Sequence, residues 1–330
     1  EAVVILEKNE KSWNFLLGKL GDRAYGANEK QSLIPAGFTL IDNPNGTAPG
    51  FWGMIKNTLV VSLPGPPREM RPMFYSSVLP LFSSLFGLES DDRDEYSSFV
   101  LAEAKLEEET KKADSSLDWG TRFQDYKISL YVSGKTKDER DHAIKKLEEI
   151  VGLHRLEKGD VSSLSLLVED LKTKGLTISC AESCTGGLAA SLLTSLPGSS
   201  SYMLGGVVSY SPLVKENVLG VKERTVESLG VVSEECAKEM ADGVRRIISS
   251  DYSFSITGVA GPDKSENKEV GTVCFGFSGL NRKSETVTVF LPSWGRDSIR
   301  RRSAVIAFIL MRAFINGEDI RSIVDTWKVF

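Results

Sequence analysis

The chain has 330 residues, of which 41% are hydrophobic and 26% are charged. This is the balance of a folded globular protein, and the length predicts two or three domains. The formal net charge is −5, which argues against a protein held on nucleic acid by phosphate contacts. Only two histidines are present, which argues against a histidine-rich metal site and a histidine-based catalytic triad.

The cysteines and the apolar runs of the sequence indicate the cellular compartment of the protein. The four cysteines form no CxxC pair, which favours reduced thiols over a disulfide scaffold. The longest apolar run, residues 304–311, is far shorter than the ~20 residues of a membrane helix. The first residue is not Met, and no signal-peptide pattern opens the sequence. We expect a cytoplasmic protein that does not associate with membranes.

The first half of the chain gives mixed signals. Residues 1–88 are rich in proline and glycine, and a buried strand is predicted over 58–63. Residues 89–95 are acidic and are interpreted as a surface linker. The alternation that starts at Tyr126 predicts a half-buried strand over 126–132. Helical spacing of apolar residues predicts a helix over 136–151.

From residue 161 onward, predicted strands alternate with predicted helices. A helix ends at Gly175, a strand follows over 176–180, and a helix comes after the sequence AESCTGG at 181–187. Another helix starts after the N-cap Ser233 and buries Ile247 among other residues. Further strands are predicted around 205–208 and over 253–256, 270–277 and 286–291, with a last helix from about residue 297. This alternation predicts an α/β layer fold.

The sequence AESCTGG lies where a strand turns into a helix. In such a turn Ser183 or Cys184 can act as a nucleophile, and nearby backbone N–H groups can stabilise an oxyanion. Gly186 and Gly187 allow close approach of the backbone. The alternative is that Ser183 or Thr185 only caps the helix. The local pattern favours the helix cap.

Lys215 is a candidate base because the usual histidine is missing. A lysine can activate a serine when burial lowers its pKa. Lys215 lies five residues after Tyr210, just beyond a predicted strand end, where active sites of α/β folds gather. The alternatives are a solvated surface lysine and a tyrosine that only packs.

Two further segments could bind phosphate. A loop that follows a strand contains Thr257, Gly258 and Gly261, and its backbone N–H groups could hold an anion. Arg296 precedes the last helix and could clamp a phosphate with two hydrogen bonds. The other arginines of that segment, residues 300–302, are expected to form a solvated face.

Several motifs in the same order resemble one family. The runs ISCAESCTGG, VVSYSPLVKENVLGV, GVVSEECAKEMADGVR, SITGVAGP and GRDSIRRR resemble the CinA carboxy-terminal domain, also called PncC, a family of nicotinamide-mononucleotide amidases. The resemblance implies an amidohydrolase that converts nicotinamide mononucleotide to nicotinate mononucleotide and ammonia, in pyridine-nucleotide salvage. Its serine, tyrosine and lysine correspond to Ser183, Tyr210 and Lys215.

The resemblance also suggests binding roles. Backbone N–H groups near residues 185–187 would hold the oxyanion. Glu182 is a candidate neighbour of the pyridinium ring by adjacency alone. The substrate phosphate would meet the loop 258–261 or Arg296. No metal or other cofactor is expected for the amidase.

The earlier segments resemble other parts of the same family. NPNGTAPGF and LPGPPREM resemble the back half of its molybdopterin-binding-like domain, which is linked to ADP-ribose pyrophosphatase activity; the front half is not found. Residues 97–152 resemble the KH-like middle domain but lack the GXXG loop that clamps RNA, since Gly134 is followed by KTK. We therefore expect this part to be a spacer that does not bind RNA.

Three domains are therefore predicted: a partial α/β molybdopterin-binding-like domain over 1–88, a small α+β KH-like domain over 89–158, and a three-layer α/β amidase domain over 159–330. Two other functions stay open. One is a nucleotide pyrophosphatase that works through the amino-terminal domain and needs a divalent metal. The other is a catalytically silent nucleotide-binding protein. The family resemblance suggests a homodimer with a small nucleotide substrate.

Overall fold

The computed structural model describes residues 5–21, 26–87, 93–124, 126–134 and 136–327. The chain folds into two compact units, Glu1–Asp91 and Asp92–Phe330. The division into three domains that the sequence suggests stays a prediction. No helix within the described ranges has the length and apolar character needed to cross a lipid bilayer.

The first unit contains two small antiparallel sheets. Its strands are β1 (Leu6–Lys8), β2 (Leu33–Pro35), β3 (Thr39–Ile41), β4 (Gly50–Ile55) and β5 (Thr58–Ser62), and its helices are α1 (Glu10–Leu20), α2 (Pro67–Met73) and α3 (Leu79–Phe86). β1 pairs with β2, and β4 lies between β3 and β5. The predicted strand over 58–63 exists, but it is not buried, because β5 is an edge strand with half-buried or exposed side chains.

The second unit begins with a four-stranded antiparallel sheet of order β7-β8-β6-β9. Its elements are β6 (Arg93–Phe99), α4 (Glu103–Ala113), β7 (Asp118–Gln124), β8 (Lys127–Ser133), α5 (Lys137–Val151) and β9 (Leu156–Lys158). The helix predicted over 136–151 is confirmed, and Thr136 and Glu139 form a capping box at its start. One apolar core joins both helices to the sheet.

Two predictions for this sheet are wrong in part. Tyr126 is not in a strand; it lies in the turn before β8, with a φ of 60°. Residues 93–95 belong to β6 and not to a linker, whereas residues 89–92 of the predicted linker lie outside the described residues.

The rest of the second unit is a mixed five-stranded sheet of order β11-β10-β12-β13-β14. Its strands are β10 (Ile178–Glu182), β11 (Met203–Val208), β12 (Tyr252–Gly258), β13 (Thr272–Gly279) and β14 (Arg282–Phe290). The helices are α6 (Ser163–Lys174), α7 (Leu188–Thr194), α8 (Pro212–Val214), α9 (Glu223–Leu229), α10 (Glu234–Ile248), α11 (Arg296–Ile315) and α12 (Ile320–Asp325). The α/β class is thereby confirmed.

Helices cover both faces of this sheet. The main apolar core lies between the strands and the helices α6, α7 and α11. On the other face α10 packs very close to β12, where the hydroxyls of Ser253 and Ser255 donate to the carbonyls of Ala241 and Ala237. Gly276 of β13 leaves room for the same helix, because a Cβ there would come within 2.3 Å of the Ala237 carbonyl oxygen.

The predicted stripe of α10 is correct except at its end. Ser233 caps the helix, and Cys236, Met240 and Val244 are buried. Ile247 is 45% exposed, which contradicts the prediction. Ile248 packs against this cluster in its place, close to Gly205 of β11.

The strand directions decide where a site can form. β10 runs parallel to both β11 and β12, which lie on either side of it. The carboxyl ends of these three strands therefore share one edge of the sheet. The chain leaves β10 through α7 on one face and reaches β12 through α10 on the other, and such a switch point is where α/β sheets open a crevice.

Candidate active site

The turn after β10 carries Ser183, and a carboxylate holds the turn in place. The side chain of Glu182 accepts hydrogen bonds from the backbone N–H groups of Gly187 at 3.0 Å, Ala189 at 3.0 Å and Ala190 at 2.8 Å. The residue that precedes α7 is Gly187, which makes no side-chain cap. Glu182 therefore satisfies the start of the helix, and neither Ser183 nor Thr185 caps it.

Two glycines let the turn close in this way. Gly186 has a φ of 60° and Gly187 a φ of 91°, values in the left-handed region that favours glycine. A Cβ at Gly187 would also come within 3.4 Å of the side chain of Val208. The two glycines of AESCTGG are thus required by the backbone of the turn.

Ser183 and Lys215 meet in the protein interior. Nζ of Lys215 lies 3.0 Å from Oγ of Ser183 and donates a second hydrogen bond of 2.5 Å to the carbonyl oxygen of Ser209. Lys215 is fully buried, and Ser183 is 8% exposed. The lysine is therefore not a solvated surface residue, and the serine hydroxyl is engaged by an amine.

The surroundings of Lys215 favour its neutral form. Burial lowers the pKa of its amine from the usual value. Among the described residues no carboxylate forms an ion pair with it, and Nζ has only two hydrogen-bond partners. A buried ammonium has three N–H donors to satisfy, whereas a neutral amine can donate to Ser209 and accept the Ser183 proton.

Cys184 is the other nucleophile that the sequence allows. Its side chain is buried, and burial raises the pKa of the thiol to about 12. The thiolate is the reactive form of cysteine. At neutral pH Cys184 is therefore an unreactive thiol, and Ser183 is the better nucleophile of the two.

The backbone N–H groups of the turn fall into two sets. Gly186 donates to the carbonyl of Ser183 at 3.1 Å, and Gly187 donates to Glu182. By contrast, the N–H groups of Cys184 and Thr185 donate to no other residue in the described part of the chain. The hydroxyl of Thr185 is also buried and has no hydrogen-bond partner there. Within the described residues, the open donors of this turn are thus those of Cys184 and Thr185, so the predicted segment 185–187 keeps the N–H of Thr185 but not those of Gly186 and Gly187.

Tyr210 and Arg296 meet at the surface. Tyr210 follows β11 and is 63% exposed. Arg296 donates to the hydroxyl of Tyr210 at 3.0 Å and to the carbonyl of Gly261 at 2.6 Å. The guanidinium thereby joins the loop after β11 to the loop after β12. Neither acceptor is a carboxylate, so these contacts do not neutralise the charge of Arg296.

The remaining predicted binding residues have internal contacts. Thr257 is buried, and its hydroxyl donates to the carbonyl of Val231 at 2.7 Å. At Gly258 a Cβ would come within 2.7 Å of the carbonyl oxygen of Thr272. These two residues hold β12 against its neighbours, and Gly261 is the part of this loop that Arg296 contacts.

The sequence analysis missed two contacts of the turn. The carbonyl of Ser209 orients Lys215, and no side-chain pattern can reveal a backbone acceptor. Arg300 donates to the carbonyl of Thr185 at 2.8 Å. The expectation of a solvated face at 300–302 is therefore wrong for Arg300, and also for Arg302, which is 3% exposed. The cluster of arginines in the sequence was the signal that could have indicated the contact of Arg300 with the turn.

The fold and the site define an α/β protein with a buried serine–lysine pair at the carboxyl ends of parallel strands. The family model described as the CinA C-terminal domain matches residues 161–315. A "Putative competence-damage inducible protein" from Caldanaerobacter subterraneus subsp. tengcongensis is 37% identical over 92% of this chain and 74% of its own length. The chain belongs to the CinA family of competence-damage inducible proteins.

Other relatives carry similar names. A "CinA-like protein" from Thermotoga maritima is 33% identical over 88% of this chain and 71% of its own length. A solved structure of a competence/damage inducible protein from Agrobacterium tumefaciens is 32% identical and covers 46% of this chain and 95% of its own, with a TM-score of 0.45.

Proposed function

We propose that the protein is an amidohydrolase that deamidates nicotinamide mononucleotide, with Ser183 as nucleophile and Lys215 as base. One observation carries the proposal: a fully buried lysine amine lies 3.0 Å from the hydroxyl of Ser183. The substrate comes from the resemblance of the motifs around this pair to the amidase family. The serine–lysine pair supports nucleophilic acyl transfer as the type of reaction.

The first step is attack on the carboxamide carbon. The neutral amine of Lys215 takes the hydroxyl proton of Ser183 while Oγ forms a bond to the carbon. The carbonyl of Ser209 keeps the amine in position. Burial lowers the pKa of the Lys215 amine below its usual value and so favours the neutral form, which can accept a proton.

The tetrahedral intermediate needs donors for its oxygen. The N–H groups of Cys184 and Thr185 are open and follow the nucleophile directly, as the donors of an oxyanion hole do in other serine enzymes. The Lys215 ammonium then returns its proton to the leaving nitrogen, and ammonia departs. Water attacks the resulting ester, with Lys215 again as base, and nicotinate mononucleotide is released.

Arg296 is the candidate partner of the substrate phosphate. Within the described residues it donates to the Tyr210 hydroxyl and the Gly261 carbonyl and forms no ion pair, so a phosphate would be a stronger partner. Tyr210 then lies beside the phosphate site, because its hydroxyl accepts the hydrogen bond of Arg296. Glu182 is occupied by backbone N–H groups, so we assign it no contact with the pyridinium ring.

The test is release of ammonia from nicotinamide mononucleotide in excess EDTA, which separates this reaction from a metal-dependent pyrophosphatase. We expect the wild-type chain to release ammonia and Ser183→Ala to lose at least about 10⁴-fold, since removing a serine nucleophile costs up to ~10⁶ in turnover. Ser191→Ala, an exposed serine of α7, is the matched control and should retain full activity.

Two outcomes contradict the proposal. Full activity in Ser183→Ala together with loss in Cys184→Ala would transfer the nucleophile to the cysteine. No ammonia release by a folded wild-type chain would reject nicotinamide mononucleotide as the substrate.

A further inference from the structure

Glu182 connects the nucleophile turn to the lysine on the neighbouring strand. It is 1% exposed, and its two carboxylate oxygens share the three N–H groups of Gly187, Ala189 and Ala190. Its backbone carbonyl accepts the N–H of Ser209 at 2.8 Å. The carbonyl of Ser209 in turn holds Lys215. One residue therefore contacts both the serine turn and the residue that orients the base.

The carboxylate also determines which donors of the turn stay open. The N–H of Gly187 would otherwise be the nearest unsatisfied donor at the start of α7. Because Glu182 accepts it and Ser183 accepts that of Gly186, only Cys184 and Thr185 keep open N–H groups in this turn, within the described residues. The direction in which these two N–H groups point depends on the shape of the turn. The carboxylate of Glu182 fixes the end of the turn that leads into α7.

We propose that Glu182 is a positioning residue for the serine chemistry, which sets the turn so that the open N–H groups of Cys184 and Thr185 face the oxyanion. This inference rests on the proposed nucleophile but not on the identity of the substrate. Neither the helix cap nor the pyridinium contact that the sequence suggested describes this role. Glu182 touches no reacting atom; it acts through the turn.

The isosteric variant Glu182→Gln tests this role. A carboxylate has only acceptors, whereas a glutamine side chain has one oxygen and an NH₂ group that can only donate. The glutamine cannot accept all three N–H groups, and its own donor would oppose at least one of them. The turn must then shift while the size of the side chain stays the same. Glu182→Asp keeps the charge but shortens the side chain by one methylene. Its labelling rate should therefore lie between those of wild type and Glu182→Gln.

The readout is covalent labelling of Ser183 by an alkyl fluorophosphonate, followed by intact mass. In this reaction Oγ bonds to phosphorus, fluoride leaves, and Lys215 takes the proton. We expect Glu182→Gln to label about 10²-fold more slowly than wild type, because misplacing an oxyanion donor costs about that much. The pH at which labelling becomes half-maximal should not change, since the substitution leaves the burial of the Lys215 amine and its contact with the Ser209 carbonyl in place. With nicotinamide mononucleotide, kcat should fall and KM stay constant.

The matched control is Asp319→Asn, which removes a carboxylate that caps α12 through the N–H groups of Arg321 and Ser322. It should label at the wild-type rate. Circular dichroism and thermal unfolding establish that each variant is folded at the assay temperature, and Glu182→Asp serves if Glu182→Gln is not.

The outcomes separate this inference from the proposed function. Wild-type labelling rates in folded Glu182→Gln or Glu182→Asp would overturn it, and so would a wild-type Ser183 that never labels. Labelling that depends on Glu182 in a chain that releases no ammonia from nicotinamide mononucleotide would support the inference and reject the substrate. A lower unfolding temperature with an unchanged labelling rate would reduce Glu182 to a structural role.

Discussion

The pair Ser183–Lys215 and the pair Tyr210–Arg296 differ in their exposure to solvent: the first is buried and the second lies at the surface. Lys215 is fully buried, and among the described residues its amine hydrogen-bonds to the Ser183 hydroxyl and the Ser209 carbonyl. Tyr210 is 63% exposed, and its hydroxyl accepts a hydrogen bond from Arg296 at the surface. Ser183 and Tyr210 follow the parallel strands β10 and β11, Lys215 begins the short helical segment Lys215–Leu219, and Arg296 is the first residue of α11.

The difference follows from the demands on each group. A lysine becomes a base near neutral pH only when it is removed from water, because burial disfavours the ammonium. An arginine keeps its charge in nearly any surroundings, so it can stay at the surface where an anionic substrate arrives. We infer that bond-making belongs to the interior pair and substrate capture to the surface pair.

Arg296→Gln should separate capture from chemistry. Removing a charge-assisted hydrogen bond costs roughly 1.5–3 kcal/mol, so we expect KM for nicotinamide mononucleotide to rise about 10- to 100-fold while kcat changes little. Arg301→Gln, on the same helix and paired with Asp297 at 2.7 Å, is the matched control and should leave KM unchanged. Steady-state kinetics at saturating and limiting substrate measure both constants. A fall in kcat with constant KM would place Arg296 in the chemistry instead.

These two pairs also show how far the sequence can predict the site. Ser183, Lys215 and Tyr210 are predicted from motifs in a fixed order, and the structure brings the first two together. The fold class is predicted from strands alternating with helices. The sequence could not place the partner of the Tyr210 hydroxyl, because that contact spans residues 210 and 296. It also could not identify the open N–H groups, because which donors remain depends on where Glu182 points. Contacts made by the backbone leave no pattern in side-chain types.

The fold predictions failed where local pattern and tertiary position differ. The capping box at the start of α5 and the left-handed Gly175 at the end of α6 are local signals. At these two points the helices begin and end as predicted. Ile247 fits the helical stripe of α10, yet the last turn packs through Ile248. Tyr126 continues an alternating pattern, yet the chain turns there. Periodicity predicts which apolar residues share a face of a helix or strand. Which of these residues are buried depends on where the sheet packs against that face.

A weaker effect is expected far from the site, at His154 of the second unit. Its ring faces the carboxylates of Glu157 and Glu318, with Arg312 beside Glu157 and Asp170 beside Arg312. The neighbouring carboxylate of Glu157, together with the hydrogen-bonded carboxylate of Glu318, raises the pKa of the imidazole above its usual value. Because the folded state binds this proton more tightly, the stabilisation is fully present below the unfolded pKa and is lost as pH rises through the folded one.

Chemical unfolding across this pH range measures the effect. We expect the free energy of unfolding of the wild type to exceed that of His154→Gln by roughly 1 kcal/mol or less at acidic pH. This difference should vanish in the alkaline range. His142→Gln is the control for histidine titration elsewhere. Ammonia release should be unchanged in both variants. A difference that grows with rising pH would contradict the sign of the pKa shift.

The pH dependence of kcat/KM tests most directly whether a neutral Lys215 activates Ser183, since this ratio reports the pKa values of the free enzyme. We predict that kcat/KM for deamidation rises with pH through an apparent pKa below the usual lysine value of 10.5. Lys215→Met should lose this rise together with about 10²- to 10⁴-fold of the activity, whereas Lys238→Met, which alters a half-buried pair with Asp242, should keep both. A rise centred at or above the usual lysine value, or the same rise in Lys215→Met, would contradict the assignment of Lys215 as the base.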